Sequence, residues 1–182
     1  LRCMRRLDFL RVGGLLGLGG VLSSFTRPSE VASLDEVLAT KIKTAGLTGS
    51  AFDLSVAPIS RVRVAVFGLG NRGQSLIDML NWLVQEGHAE ITAISDINSS
   101  KISRAQQQIA EFQKSAPRVF TGAPDAWMEA MSDDVADVAL ICTPWELHAP
   151  MAVAAMRGGM HAASEVPIAY TPDACVELVQ VA

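Results

Sequence analysis

The sequence contains few cysteines and little excess charge of either sign, and each shortage excludes a class of protein. Its 182 residues include three cysteines: Cys3, Cys142 and Cys175. Their odd number and wide spacing match neither a disulfide framework nor a zinc site, so we expect no bound metal. The formal net charge of −4 gives no electrostatic basis for binding nucleic acid. The length and the apolar share of 49% suit a soluble globular protein with one domain and a tail.

The apolar stretch at the N-terminus is too short to span a bilayer comfortably as a helix. It covers Val12–Phe25 and follows a basic start with four arginines: Arg2, Arg5, Arg6 and Arg11. This arrangement is typical of a signal peptide, and Arg5-Arg6 resembles a twin-arginine export motif. We therefore expect residues 1–27 to be a signal segment, the protein to be exported, and no stable membrane span to remain after processing. An ordinary first helix is the alternative, although so glycine-rich a stretch is a poor helix former.

Residues 28–60 are predicted to be a linker that contains one short helix. Ser33 and Glu36 have the spacing of a capping box, which predicts a helix over Leu34–Ala45. The residues after this helix, "GLTGSAFDLSVAPIS", are typical of turns and linkers.

From Arg61 onward, predicted strands alternate with predicted helices. The predicted strands are 61–67, 90–96, 118–120, 135–143 and 160–164. The predicted helices cover about 74–86 and 98–115, begin at Pro124, extend from Pro150 to the Gly158-Gly159 pair, and begin at Thr171-Pro172. This alternation predicts an α/β fold, a doubly wound parallel sheet with right-handed crossovers, over residues 61–182.

A glycine motif follows the first of these strands and opens a helix. Gly68, Gly70 and Gly73 form G-x-G-x-x-G in the context that a dinucleotide site requires. The helix N-terminus would face the phosphates, because its N–H groups and dipole favour anions. Asp96 ends the second strand at the spacing of a carboxylate that binds the adenosine ribose, and an acid there favours NAD over NADP. The alternative is a glycine turn followed by an Asp that caps a helix.

Two more segments lie just past predicted strands, at the edge of the sheet where ligands collect. The first contains Trp145, Glu146, Leu147 and His148, and the second contains Glu165 and Val166. Beside a dinucleotide site, contact with the nicotinamide half of the cofactor is the preferred interpretation. The alternatives are that Trp145 covers the sheet edge, that His148 caps a helix, and that Glu165 forms an N-cap or a salt bridge.

Together these motifs resemble the N-terminal half of the Gfo/Idh/MocA superfamily of sugar-active NAD(P) proteins. The resemblance rests on "VRVAVFGLGNRG", "SDIN" and the segment from Cys142 to Val179, and it covers about residues 60–182. Many members have Glu-Lys-Pro after the fifth strand, and that lysine assists proton transfer in sugar dehydrogenases. Val166 occupies the lysine position here, and a valine can neither donate nor accept a proton.

The Glu-Val-Pro variant, together with "TPWELHAP", is similar to glycoside hydrolase family 109. That family comprises NAD-dependent α-N-acetylgalactosaminidases, often exported with a twin-arginine signal. The resemblance implies a bound NAD that oxidises the sugar at C3, elimination of the aglycone, addition of water and re-reduction of C3. Such a mechanism needs no pair of carboxylates around the glycosidic bond. The family's catalytic tyrosine and histidine are expected in the region that follows residue 182, so no catalytic residue is assigned.

The resemblance also implies which residues contact the cofactor. Asn71 and Arg72 would contact its phosphates and Asp96 its ribose. The nicotinamide side would be lined by Trp145, Glu146, Leu147, His148, Glu165 and Val166. We expect a small-molecule glycoside as substrate and consider a homo-oligomer. A sugar oxidoreductase of the same superfamily and an NAD-binding module without catalysis are the alternative functions.

Overall fold

Five parallel strands, each followed by a helix, form one sheet. The strands are β1 (Val62–Phe67), β2 (Ala89–Ser95), β3 (Arg118–Phe120), β4 (Val138–Ile141) and β5 (His161–Ser164). The helices are α1 (Leu34–Ala45), α2 (Asn71–Gln85), α3 (Ser99–Ala110), α4 (Trp127–Ser132), α5 (Trp145–Arg157) and α6 (Pro172–Val181). The strand order is β3-β2-β1-β4-β5. This is the doubly wound sheet that the sequence predicts.

The computed structural model describes residues 33–46, 57–132 and 134–182. The predicted signal segment and most of the predicted linker lie outside these ranges. Contacts divide the chain after Glu36, and residues 37–182 form one compact unit.

The winding direction of the sheet reverses between β1 and β4. Along the chain, β2 and then β3 are added on one side of β1. The chain then crosses back, and β4 is added on the other side of β1. In open α/β sheets, the carboxyl ends of the strands on either side of such a reversal form a crevice that binds ligands. The crevice of this protein therefore lies at the carboxyl ends of β1 and β4.

Apolar side chains cover both faces of the sheet. On one face, Phe67 and Ile141 pack in a cluster that includes Trp127 of α4 and Met151 of α5. On the other face, strand residues pack against buried isoleucines of α2 and α3: Ile77, Ile102 and Ile109. Burial on both faces accounts for the near-continuous apolar character of the central strands. Because both faces are closed, the edge at the carboxyl ends of the strands is where a ligand can reach β1 and β4.

The helix starts predicted at Pro124 and Pro150 are wrong. Helix α5 begins at Trp145, directly after Pro144, and Pro150 lies inside it. A proline is tolerated near the beginning of a helix, so the sequence was compatible with a start of α5 at either Pro144 or Pro150. Pro124 instead lies in a turn closed by the Ala126 N–H, which donates to the Ala123 carbonyl at 3.2 Å, and α4 follows it.

Two other predicted helix starts are confirmed by their caps. At α1, the Ser33 N–H donates to Glu36 Oε2 at 2.8 Å and the Glu36 N–H donates to Ser33 Oγ at 3.2 Å, which is a reciprocal capping box. At α6, Thr171 Oγ accepts from the Ala174 N–H at 3.2 Å, and Pro172 occupies the first helical position.

Candidate dinucleotide site

The glycine motif at the junction of β1 and α2 has almost no free space at two of its three glycines. Gly68 has φ of +86°, and a Cβ there would lie 2.6 Å from the Cys142 carbonyl oxygen. A Cβ on Gly73 would overlap the Gly68 carbonyl oxygen. At Gly70, by contrast, an added Cβ would meet nothing of the protein within 4 Å. The turn is therefore packed tightly against the protein and leaves its outer surface clear at Gly70.

Helix α2 points its N-terminus into the crevice from this turn. Gly70 is the N-cap residue, its carbonyl accepts from the Gln74 N–H at 2.9 Å, and Asn71 and Arg72 form the exposed first positions of the helix. The first N–H groups of a helix have no partner inside the helix and carry a partial positive charge. A pyrophosphate could approach these groups over Gly70, as in other dinucleotide-binding folds.

Asp96 holds the glycine turn from the end of β2. The Leu69 N–H donates to Asp96 Oδ2 at 2.8 Å, and the Asn98 N–H donates to Asp96 Oδ1 at 2.8 Å. The side chain is only 7% exposed. Lys101, in the first turn of α3, places its Nζ 3.8 Å from Asp96 Oδ2. The carboxylate thus joins the ends of β1 and β2, and each oxygen keeps a lone pair for a further donor.

A cavity of about 360 Å³ opens between these loops and the end of β4. Four of the predicted site residues line it: Gly68, Gly70, Asp96 and Leu147. The rest of its lining comes from β1, β2 and the connection that follows it, α3, the β3–α4 and β4–α5 connections, α4 and α5: Phe67, Ser95, Ile97, Lys101, Ala123, Pro124, Trp127, Cys142, Thr143, Pro144 and Met151. Its largely apolar lining with a few polar groups is typical of cofactor sites.

Arg72 and Glu165 form an ion pair across the end of β4. Arg72 Nε donates to Glu165 Oε1 at 2.6 Å. Since β4 lies between β1 and β5 in the sheet, this contact joins the glycine turn to the segment after β5. The salt bridge considered for Glu165 is therefore present, and it brings two predicted cofactor contacts together. The guanidinium retains other N–H donors for a phosphate.

His148 is buried beneath the same edge and links two loops. The side chain is 1% exposed, with Nδ1 2.9 Å from the Pro167 carbonyl oxygen and Nε2 2.7 Å from the Thr143 carbonyl oxygen. Both partners are hydrogen-bond acceptors, and a neutral ring carries one N–H, so such a ring donates to one carbonyl and lies against the other. The ring therefore connects the end of β4 to the segment that carries Glu165 and Val166. Direct contact between this ring and a cofactor would require one of these interactions to be exchanged.

The remaining predicted contacts are exposed at the β4–β5 side of the crevice. Trp145 is 63% exposed and Val166 is 81% exposed. Trp145 and Glu146 line a second, more open pocket of about 480 Å³ together with Pro144 and Tyr170. Leu147 lines the first cavity instead. The four predicted residues Trp145–His148 therefore lie in three places, since Trp145 and Glu146 line the second pocket, Leu147 lines the first cavity and His148 is buried.

Cys142 lies between the two halves of the crevice but is unsuited to nucleophilic chemistry. Burial raises the pKa of its thiol to about 11, and the nearby Glu165 carboxylate adds to this effect while Arg72 opposes it. A thiol with such a pKa stays protonated at neutral pH, and the thiolate is the reactive form. The structure gives Cys142 a place in the cavity wall.

Several residues of the cavity were not predicted from the sequence, and Lys101 and Trp127 are the largest polar and apolar examples. Lys101 follows the Asn98 cap of α3 by three residues, so a helix in this position brings it back towards Asp96. That spacing was available in the sequence. Trp127 carries no comparable local signal, because it reaches the crevice through the packing of α4 against the sheet.

Among residues 33–46, 57–132 and 134–182, no group of three or more His, Cys, Asp or Glu side chains is arranged to hold a metal ion. Within the same ranges, no helix has the length and apolar character needed to cross a membrane.

The geometry defines a dinucleotide-binding domain, and comparison with known proteins gives its family. Residues 62–182 match the Gfo/Idh/MocA family, described as an oxidoreductase family with an NAD-binding Rossmann fold. The chain belongs to this family, and NAD is its cofactor. The tight glycine turn, the clear approach at Gly70 and the buried Asp96 fit that cofactor.

Relatives by sequence are named as glycosidases. The chain is 34% identical over 179 residues to a glycosyl hydrolase family 109 protein from Shewanella sp. (strain W3-18-1). It is 31% identical over 179 residues to an α-N-acetylgalactosaminidase from Shewanella oneidensis. Each match covers 98% of this chain and 37% of the relative, so the chain spans little more than a third of these proteins.

Solved structures share the fold. The scyllo-inositol dehydrogenase from Lactobacillus casei, with bound NAD(H) and scyllo-inositol, has a TM-score of 0.56 at 20% identity, over 66% of this chain and 32% of that one. The WlbA dehydrogenase from Bordetella pertussis, in complex with NADH and UDP-GlcNAcA, has a TM-score of 0.53 at 22% identity, over 66% and 33%.

Proposed function

We propose that this chain is the NAD-binding part of an exported glycosidase that acts on α-N-acetylgalactosaminides. The observation that carries the proposal is Val166. It stands where lysine-dependent dehydrogenases of the family have their proton-transferring residue, and it is exposed beside Glu165 at the crevice. A valine cannot perform that proton transfer, whereas a glycosidase of the family 109 type does not rely on it. The similarity over 179 residues to family 109 proteins supports the same conclusion.

The residues of the crevice suit a cofactor that stays bound through each turnover. Asn71, Arg72 and the amide groups at the start of α2 would bind the phosphates, and Asp96 would bind the adenosine ribose. The nicotinamide side would be formed by Trp145 to His148 with Glu165 and Val166. Bound NAD supplies a reversible hydride acceptor, which is the chemistry needed for transient oxidation at C3, elimination and re-reduction. The role of Glu165 is to fix Arg72 at the turn by the ion pair described above.

A sugar oxidoreductase is the second candidate, because the matching family is described as an oxidoreductase family. In that case, another group must replace the missing lysine. The two candidates differ in what happens to the hydride. A glycosidase returns it to the sugar, so no NADH accumulates. An oxidoreductase releases NADH in proportion to product.

The deciding experiment uses the full protein encoded by the gene, purified without added cofactor. We expect it to release the phenol from an aryl α-N-acetylgalactosaminide without added NAD and without net formation of NADH. The Gly70→Ala variant should lose most of this activity, since the glycine admits the cofactor. NADH formation from a free sugar, with no glycoside cleavage, would support the oxidoreductase instead. Absence of both reactions from a folded, NAD-loaded protein would favour a binding module.

Export by the twin-arginine route is part of the same proposal. It is supported by the arginine pair and the short apolar stretch of residues 1–27. Replacing Arg5 and Arg6 by lysine should move the protein from the periplasmic to the cytoplasmic fraction, as measured by immunoblotting of fractionated cells. Replacing Arg2 and Arg11 in the same way is the matched control and should leave the distribution unchanged. An unchanged distribution in both variants would contradict the proposal.

A further inference from the structure

The exposed valine of the crevice, Val166, is held in place through both of its chain neighbours. On one side, Glu165 Oε1 accepts from Arg72 Nε at 2.6 Å. On the other side, the Pro167 carbonyl oxygen lies 2.9 Å from His148 Nδ1. Val166 itself is 81% exposed. Its position at the crevice is therefore set by contacts that the residues on either side of it make.

The second nitrogen of His148 faces backbone that is fixed against the glycine turn. Nε2 lies 2.7 Å from the Thr143 carbonyl oxygen. Directly before Thr143, the Cys142 N–H donates to the carbonyl of the last residue of β1 at 2.7 Å, and the Cys142 carbonyl leaves no room for a Cβ on Gly68. The histidine ring thus spans the distance between the backbone beside the glycine turn and the segment after β5.

The burial of His148 assigns it an indirect role. The ring is 1% exposed, and each of its nitrogens lies within hydrogen-bonding distance of a carbonyl oxygen. Whichever carbonyl accepts its N–H, the ring fills the space between the two loops and fixes their separation. Side chains that support a binding site in this way keep the groups that contact the ligand in the productive geometry.

We propose that His148 is a positioning residue for the nicotinamide half of the cofactor, because it fixes Pro167, and with it Val166, relative to the glycine turn that binds the pyrophosphate. This role rests on the proposed function in one respect, the assignment of Glu165 and Val166 to the nicotinamide side. It does not require that the protein cleaves glycosides. Loss of the ring should therefore affect the nicotinamide half of NAD more than the ADP-ribose half.

The test is calorimetric titration of the full protein encoded by the gene, freed of bound nucleotide, with NAD and separately with ADP-ribose, which lacks the nicotinamide. The decisive variant is His148→Gln. Its amide nitrogen can take the place of Nε2 and donate to the Thr143 carbonyl, but it has no atom in the place of Nδ1, against Pro167. We expect this variant to bind NAD about fivefold or more weakly and ADP-ribose within about twofold of the wild type.

A matched control uses the same substitution at an exposed histidine. His88→Gln should change neither affinity. His148→Ala removes both ring contacts and should lose NAD affinity at least as selectively as His148→Gln.

The outcomes for this role and for the proposed function are separate. A selective loss of NAD affinity in His148→Gln supports the positioning role, whatever the glycoside assay shows. Equal weakening of NAD and ADP-ribose would overturn it, since the ring would then act on the site as a whole. Unchanged affinity for both ligands would overturn it as well, and a wild type that cleaves the aryl glycoside would still leave the proposed function supported.

Discussion

On the β1–β2 side of the crevice, the polar groups at the cofactor site are mainly the backbone of the glycine turn and the buried carboxylate of Asp96, with Lys101 beside it. On the β4–β5 side, they are mostly exposed side chains joined by one ion pair and one buried histidine. The first side depends on positions where an added methyl group has no room, as at Gly73, or where a carboxylate joins two loops, as at Asp96. The second depends on Arg72–Glu165 and on side chains such as Trp145.

This difference indicates how function is distributed between the two sides. The backbone-built side can serve any ligand with an adenosine and a pyrophosphate, and it tolerates little change. We expect the side-chain-built side to tolerate more change, since it includes exposed positions such as Val166, where the resemblance implies a lysine in related dehydrogenases. We therefore expect the type of reaction to differ between proteins of the family through changes on the β4–β5 side, while the β1–β2 side retains the cofactor.

The largest expected effect is at Gly73. The Gly73→Ala variant should lose about 3 kcal/mol or more in the free energy of unfolding, because its methyl group overlaps the Gly68 carbonyl. Urea denaturation measures this loss. Gly70→Ala is the matched control, with open space around its Cβ, and should cost less than about 1 kcal/mol. Equal losses at the two positions would mean that the turn is not packed as described.

The next effect concerns His148, on the side-chain-built half. His148→Ala should lower the free energy of unfolding by about 2–3 kcal/mol, since it removes a buried ring and leaves the carbonyl that accepts its N–H, at Thr143 or Pro167, without a donor. Thermal denaturation compares it with His88→Ala, where the histidine is exposed. A loss no greater than that of the control would show that the ring does not join the two loops.

Asp96 should affect both stability and binding. Asp96→Ala removes the acceptor for two backbone N–H groups and should cost about 2 kcal/mol of stability. It should also weaken NAD by about tenfold or more in a calorimetric titration. Asp96→Asn keeps one oxygen acceptor and should fall between the wild type and the alanine variant. Unchanged NAD affinity in Asp96→Ala would refute the ribose role.

The smallest effect is expected at the ion pair on the β4–β5 side. Because Arg72 is more than half exposed, Glu165→Gln should cost less than about 1 kcal/mol of stability. NAD affinity should fall by roughly threefold, since Arg72 is no longer held at the turn. Glu177→Gln, which removes a second exposed pair with Arg157, is the control and should not change NAD binding. Tighter NAD binding in Glu165→Gln would show that Glu165 competes with the phosphates for Arg72.

The sequence predicted the backbone-built side more completely than the other. Glycines that follow a strand and open a helix restrict the turn by local sterics, and strand alternation determines the sheet, so Gly68, Gly73 and the five strands could be identified. The pairing of Arg72 with Glu165 joins residues far apart in the chain, and no local pattern encodes it. The burial of His148 depends on where α5 begins, and the prediction placed that start at Pro150. Lys101 was overlooked although its spacing from Asp96 was available.

The most direct test of the NAD site is a calorimetric titration of the wild-type protein and the Gly70→Ala variant with NAD. We expect one NAD per chain, and an affinity lowered by about tenfold or more in Gly70→Ala while its melting temperature stays close to that of the wild type. This result would place the pyrophosphate over the start of α2. Equal affinities in two equally stable proteins would contradict the site.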